Sequence, residues 1–254
     1  MQRLPSSSKI LFLSDVHLSS EESCKSFAGY LNQIQGGYSH LYILGDLFDY
    51  WLGQKSERYF QEFQPVLQGL KKLNLEGMQV WFLQGNRDFL LDSSSCQRYG
   101  VQLCRDFHTI KLPTCTILLT HGDLLCTSDH KYQLYRRLIR SECLQLFARH
   151  LPLKITQKMA LRLKKTSKRS IAQKSMRQIT VNFQYIRELL KENDVVICGH
   201  IHQEMDYALI GQSEKKFLVL GGWEEERGSA LEYSCGVFRV LQPQWRTSGD
   251  SHSL

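Results

Sequence analysis

The sequence predicts an α/β protein, a sheet of buried strands covered by helices, on three observations. Five short runs, KILFL, HLYIL, QVWFL, CTILLT and DVVIC, are apolar at consecutive positions, as strands buried on both faces must be. Stretches of helical length lie between them, at 23–35 and 59–73. Every run then breaks into Asp, Asn or His beside a small residue, and in open α/β sheets sites form beyond the carboxyl ends of the strands.

Taken in order, the run at 9–13 releases Asp15 and His17, and that at 40–44 releases Gly45 and Asp46. The run at 79–83 leads to Gly85, Asn86 and Arg87, and that at 115–120 to His121 and Gly122. An insertion at 126–177 interrupts the pattern. Tyr132 to His150 reads as one helix, and Pro152 suits the first turn of a second. There Ile155, Met159 and Leu163 fall at i, i+4 and i+8, while Lys158, Arg162 and Lys165 cover another face. Such a helix can lie on a membrane surface or line an apolar pocket, or it can belong to a packed hairpin with a solvated charged face. The run at 194–198 then releases Gly199, His200 and His202. EMDYALI, KFLVLGG and CGVFRVL follow as antiparallel strands, so the sheet is mixed or there are two sheets face to face. Residues 243–254 are polar and read as a frayed tail.

The 254 residues, 42% hydrophobic and 22% charged, fit one core domain over 9–242 with the insertion, rather than two full domains. No apolar run nears the ~18 residues of a membrane span, and the start MQRLPSSSK lacks the hydrophobic stretch of a signal peptide, so a cytoplasmic location is expected. Eight cysteines without a C-x-x-C pair read as reduced, mostly buried thiols. The net charge of +7 is uneven. Residues 136–177 hold 13 of the 32 Lys and Arg but one of the 25 acids, Glu142, so this segment carries +12 and the rest of the chain −5. A basic block in an acidic protein calls for a local anionic partner. It lacks the interleaved aromatics of single-strand nucleic-acid binders, so no nucleic acid is expected.

Together the strand ends supply Asp15, His17, Asp46, Asn86, His121, His200 and His202. Three oxygen donors and four imidazoles suit two divalent cations about 3.5–4 Å apart, the spacing used for displacement at phosphorus. Asp46 is the best candidate to bridge them. Glycines beside Asp46, Asn86, His121 and His200 let the backbone turn sharply and approach closely. Mixed imidazole and oxygen donors disfavour calcium and point to manganese, iron or zinc.

D-x-H, G-D, G-N, H-G and G-H-x-H in this order resemble the calcineurin-like metallophosphoesterase superfamily. The resemblance implies a four-layer αββα sandwich around a dinuclear site. Asp15, His17, Asp46 and His202 would hold one metal, and Asp46, Asn86, His121 and His200 the other. More closely, YILGDLFDYWLG (42–53), FLQGNRDFLL (82–91) and THGDLLCTSDHKYQLYR (120–136) resemble the UDP-2,3-diacylglucosamine hydrolase family of bacterial lipid A synthesis. That likeness implies hydrolysis of a lipid-nucleotide pyrophosphate to UMP and 2,3-diacylglucosamine 1-phosphate, by metal-activated water attack on the α phosphorus, with two Mn2+. It makes Asn86, Arg87 and His200 catalytic and carries Asp129, Ser167 and Lys174 over as further substrate contacts, with Tyr132 beside them. The family often has Asn where this chain has Ile171. A monomer is expected, and the charge of the insertion suits docking on the anionic cytoplasmic face of the inner membrane.

Arg87 adds a chemical argument. Many relatives carry histidine after G-N, able to protonate an alkoxide, whereas arginine keeps its proton and clamps phosphate charge. A phosphoanhydride expels a weakly basic phosphate, so Arg87 fits pyrophosphate cleavage better than phosphomonoester cleavage. The rivals are a nucleotide pyrophosphatase or phosphodiesterase for soluble substrates, which needs no apolar stripe, and a metal-free scaffold with this fold, which would have eroded ligands.

Overall fold

The computed structural model describes residues 1–53, 56–57, 60–141, 152, 155, 181–202, 205–208, 215–223 and 227–244. In chain order the strands are β1 (Gln2–Arg3), β2 (Ile10–Leu13), β3 (His40–Ile43), β4 (Gln79–Leu83), β5 (Val101–Cys104), β6 (Phe107–Lys111), β7 (Thr116–Thr120), β8 (Val195–Cys198), β9 (Met205–Ala208), β10 (Lys216–Val219), β11 (Ala230–Ser234) and β12 (Val237–Leu241). The helices are α1 (Glu21–Gln33), α2 (Gln64–Leu75), α3 (Ser93–Arg98), α4 (His130–Ile139) and α5 (Phe183–Glu192).

Two mixed six-stranded sheets form, one in the order β12-β11-β2-β3-β4-β5 and the other β1-β6-β7-β8-β10-β9. Their centres are parallel: β2, β3, β4 and β5 in the first, β7, β8 and β10 in the second. The consecutive apolar residues of β2 explain the layering, because alternate side chains point to opposite faces. Ile10 and Phe12 join Tyr42, Ile117, Leu119, Val195, Ile197 and Leu218 between the sheets. Leu11 and Leu13 instead face Phe27 and Leu31 of α1 and Val66 and Leu70 of α2. On the outer face of the second sheet, Leu118, Val196, Phe217 and Val219 pack on Ile186 and Leu190 of α5. The expected αββα sandwich is therefore the fold observed.

Side-chain caps set where four helices begin. Ser20 and Ser23 form a capping box on α1, Asp92 accepts from Ser95 N at 2.8 Å, Asp129 from Tyr132 N at 3.1 Å, and Asn182 from Gln184 N and Tyr185 N. α2 carries a proline in its first turn. Of the helix expected from Tyr132 to His150, α4 covers the part up to Ile139, and 142–150 lie outside the described residues. Just beyond it the Ser141 hydroxyl donates to the Leu138 carbonyl at 2.7 Å. Of the basic second helix expected after Pro152, only Pro152 and Ile155 are among the described residues.

The C-terminal strands also differ from a simple antiparallel set. β10 is antiparallel to β9 but parallel to β8, whereas β11 and β12 extend the other sheet antiparallel to β2. The seven described cysteines are free, six of them buried or half-buried and Cys235 exposed.

Candidate metal centre

The parallel strands of both sheets deliver their carboxyl ends to one edge. Asp15 and His17 follow β2, Asp46 follows β3, Asn86 and Arg87 follow β4, His121 follows β7, and His200 and His202 follow β8. Loop-to-loop bonds splice these ends together: Asp15 N donates to Gly45 O at 3.1 Å, His17 N to Asp46 O at 3.0 Å, and Gly199 N to His121 O at 2.8 Å. Two further bonds cross between the sheets, His121 Nδ1 to the Leu44 carbonyl at 2.7 Å and His200 N to Asp15 Oδ2 at 2.7 Å.

The backbone is strained where these side chains emerge. Among the described residues six non-glycines have positive φ, and five of them are Asp15 (54°), His17 (55°), Asp46 (53°), His200 (70°) and His202 (61°). A left-handed non-glycine costs on the order of 1–3 kcal/mol and persists where surroundings over-determine it, typically at functional sites. The neighbouring glycines serve close approach as well. A Cβ on Gly45, itself at φ +91°, would sit 2.7 Å from Gly85 and from His121 Nδ1, and one on Gly199 would sit 2.3 Å from Asp15 Oδ2.

Two groups of donors converge. Asp15, His17 and His202 form one, and Asp15, Asp46 and His121 the other, each set offering one atom per residue within 4.8 Å of the rest. His17 Nε2 lies 3.2 Å from His202 Nε2, and Asp15 Oδ1 is 3.4 Å from the latter. Buried Asp15 Oδ1 has no hydrogen bond of good geometry, a costly arrangement unless a cation completes it. Asp46 Oδ2 stands 3.9 Å from His121 Nε2, which is 3.1 Å from Asn86 Oδ1. Because His121 Nδ1 donates to Leu44 O, its Nε2 lone pair is turned inward, the tautomer a metal needs. The residues present therefore fit divalent cations.

The electrostatics agree. Burial pushes His17 down to about 3, helped by Arg87, and pushes His200 down to about 4, helped by His121. Both are thus neutral donors at physiological pH. Burial pulls on Asp15 upward, but His202, His121 and His17 outweigh it and hold its carboxyl well below the usual range. Asp46 is pushed up to about 7 by burial, which His121 only partly offsets. Burial opposes protonation of His121, yet Asp46 and Asp15 hold it above its ordinary value.

Arg87 lies at the same edge. Its Nη1 pairs with Asp49, its Nε is 3.6 Å from Asp46 Oδ2, and its side chain is 20% exposed. Its backbone N–H donates to Asp46 Oδ1 at 2.9 Å. Of the expected substrate contacts, Tyr132 sits with its ring centroid 6.2 Å from that of His200 and donates its hydroxyl to Asp123, while Asp129 caps α4. Ser167, Lys174 and Ile171 lie outside the described residues. Sequence reasoning missed two buried acids. Asp88 accepts from Gly85 N at 2.8 Å and Leu47 N at 2.9 Å, stitching two site loops. Asp123 binds Arg136 and Tyr132. Their signal was present as the fourth residue of G-N-R-D and of T-H-G-D.

Residues 8–204 match the calcineurin-like phosphoesterase family. A UDP-2,3-diacylglucosamine hydrolase of Pseudomonas fluorescens (strain SBW25) is 31% identical over 250 residues, 94% of this chain and 99% of the relative. The protein of that name from Pseudomonas putida (strain KT2440) is 35% identical over 230 residues, 88% and 94% of the two chains. That from Haemophilus influenzae (strain PittGG) is 35% identical over 225 residues, 87% and 93%.

Proposed function

Given that the chain belongs to the calcineurin-like phosphoesterase family, we propose that it hydrolyses the pyrophosphate bond of UDP-2,3-diacylglucosamine to UMP and 2,3-diacylglucosamine 1-phosphate. The observation that carries this reading is Arg87, an always-charged guanidinium aligned by Asp49 and set 3.6 Å from Asp46. It suits a leaving phosphate, which needs charge balance and no proton. The names and near-full coverage of the relatives support the substrate.

Two Mn2+ are proposed, one held by Asp15, His17, Asp46 and His202, the other by Asp46, Asn86, His121 and His200. When bound, such ions supply Lewis-acid charge and an activated water for in-line attack at the α phosphorus. The chain does the remaining work. Leu44 O fixes the His121 tautomer, Asp88 holds the loops of Asp46 and Asn86 together, and Arg87, Asn86 and His200 stabilise charge on phosphoryl oxygens.

For the lipid end, Asp129, Tyr132, Ser167 and Lys174 are proposed as substrate contacts. α4 supports an apolar partner, since it exposes Leu134, Tyr135 and Leu138 while burying Arg136. The +12 charge of 136–177 favours docking on anionic lipid at the cytoplasmic face of the inner membrane, where each Lys or Arg gains about 1 kcal/mol. No described helix is long and apolar enough to cross a membrane. The active form is proposed to be a monomer.

The test is mass spectrometry of products after metal-stripped protein receives Mn2+ and UDP-2,3-diacylglucosamine, with UDP-N-acetylglucosamine as the acyl-free control. UMP and the lipid 1-phosphate from the acylated substrate alone are expected. Equal cleavage of both would remove the lipid assignment, and cleavage of neither would remove the reaction.

A further inference from the structure

α4 meets the core through an inverted face. At successive turns Tyr132, Arg136 and Arg140 point inward, while Leu134 and Leu138 are 61% and 57% exposed. The inward groups reach three different strand-end loops. Tyr132 Oη and Arg136 Nε meet Asp123 Oδ2 at 2.9 and 2.6 Å, two residues beyond His121. Arg136 also forks onto Asp106, after β5, with Nη2 to Oδ1 at 2.6 Å and Nη1 to Oδ2 at 3.3 Å. Arg140 Nη1 pairs with the same carboxylate, and its Nη2 donates to the carbonyls of Gln84 and Gly85, both at 3.0 Å.

Those two carbonyls immediately precede Asn86 and Arg87. One guanidinium nitrogen thus closes the turn that aims the Asn86 amide at His121 and the Arg87 side chain at Asp46. The fork geometry of arginine, anchored on Asp106 by one nitrogen and on two carbonyls by the other, is what a single ammonium point charge cannot reproduce. We propose that Arg140 is a positioning residue: through the Gln84 and Gly85 carbonyls it sets Asn86 and Arg87, so the seating of the insertion's first helix controls the metal and phosphate site. This rests on the dinuclear reading above and adds to it a mechanical link from the insertion to the site.

Partners that orient metal ligands from outside the ligand shell are worth about 10–100-fold in affinity or activity. The experiment compares the full chain with Arg140→Ala, Arg140→Lys and Asp106→Asn by Mn2+ titration of the metal-stripped proteins, read by electron paramagnetic resonance, with kcat and KM on UDP-2,3-diacylglucosamine alongside. Asp106 is 41% exposed, so its near-isosteric change keeps the fold even if Arg140→Ala does not. Arg140→Ala is expected to weaken the second Mn2+ equivalent about tenfold and lower kcat about tenfold or more with KM changed less than about threefold. Asp106→Asn should shift both in the same direction by less, and Arg140→Lys should recover part of the loss. Parent-like Mn2+ binding and kcat in Asp106→Asn and in any folded Arg140 variant would overturn the proposal. If the parent binds two Mn2+ but leaves the substrate intact, the substrate reading fails and the titration still decides the role of Arg140. If the parent binds no Mn2+, the dinuclear reading falls and this inference with it.

Discussion

Asp46 shows how much of the site depends on single residues. It lies at φ 53°, is 2% exposed, accepts the Arg87 backbone N–H, and faces His121 across 3.9 Å. Without a cation burial pushes its carboxyl up to about 7, so below that pH it retains a proton that a metal must displace. Metals take the carboxylate and the neutral imidazole, and binding therefore releases protons. Apparent Mn2+ affinity should rise with pH up through about 7 and level off above it. Calorimetric titrations at pH 6 and pH 8 (about one unit either side of neutrality), in two buffers of different ionisation enthalpy, check this. Equal affinities without proton release at the lower pH would contradict the assignment. The candidate donors themselves were legible in the sequence because each follows an apolar run. Their left-handed backbone was not, since nothing local to S-D-V-H or G-H-I-H demands it. Contacts between loops far apart in the chain impose it.

Among the elements, α4 departs most from what its sequence suggests. Its start is encoded by Asp129, but its inward polar face is decided by Asp106 and Asp123, which come from other loops. A buried ion pair contributes little net stability when intact, yet removing one partner strands the other charge, typically at a cost of about 3–5 kcal/mol. Arg136→Ala leaves the carboxylate of Asp123, 1% exposed, without its guanidinium. Equilibrium urea denaturation should show a loss of about 3 kcal/mol or more, and a loss below about 1 kcal/mol would mean that Arg140, whose Nη2 lies 4.0 Å from Asp123 Oδ2, suffices to neutralise it.

For the whole molecule, the two sheets are joined at the site edge by His121 to Leu44 and His200 to Asp15, so cations bound there brace both halves of the sandwich. A ligand bound only by the native state stabilises it by about 2.7 kcal/mol at a hundred times its Kd. Mn2+ should therefore raise the Tm of metal-stripped protein and EDTA should reverse the rise, while a Tm indifferent to Mn2+ would place the ions elsewhere. The sequence by itself determined the five buried strands, the order of their donors and the glycines between them, because burial on both faces and turn chemistry are written in neighbouring residues. It could not decide between one sheet and two, since a strand apolar on both faces carries no mark of its partner, and β1, β5, β6 and β11 left little signal of their own. Only the tertiary structure decided that Phe12 shares a core between two sheets with Ile117, that Asp123 and Asp106 take Arg136, and that Arg140 donates to the two carbonyls before Asn86. These are pairings over long stretches of chain, set by which faces the packed layers bring together and by the need to satisfy each buried charge.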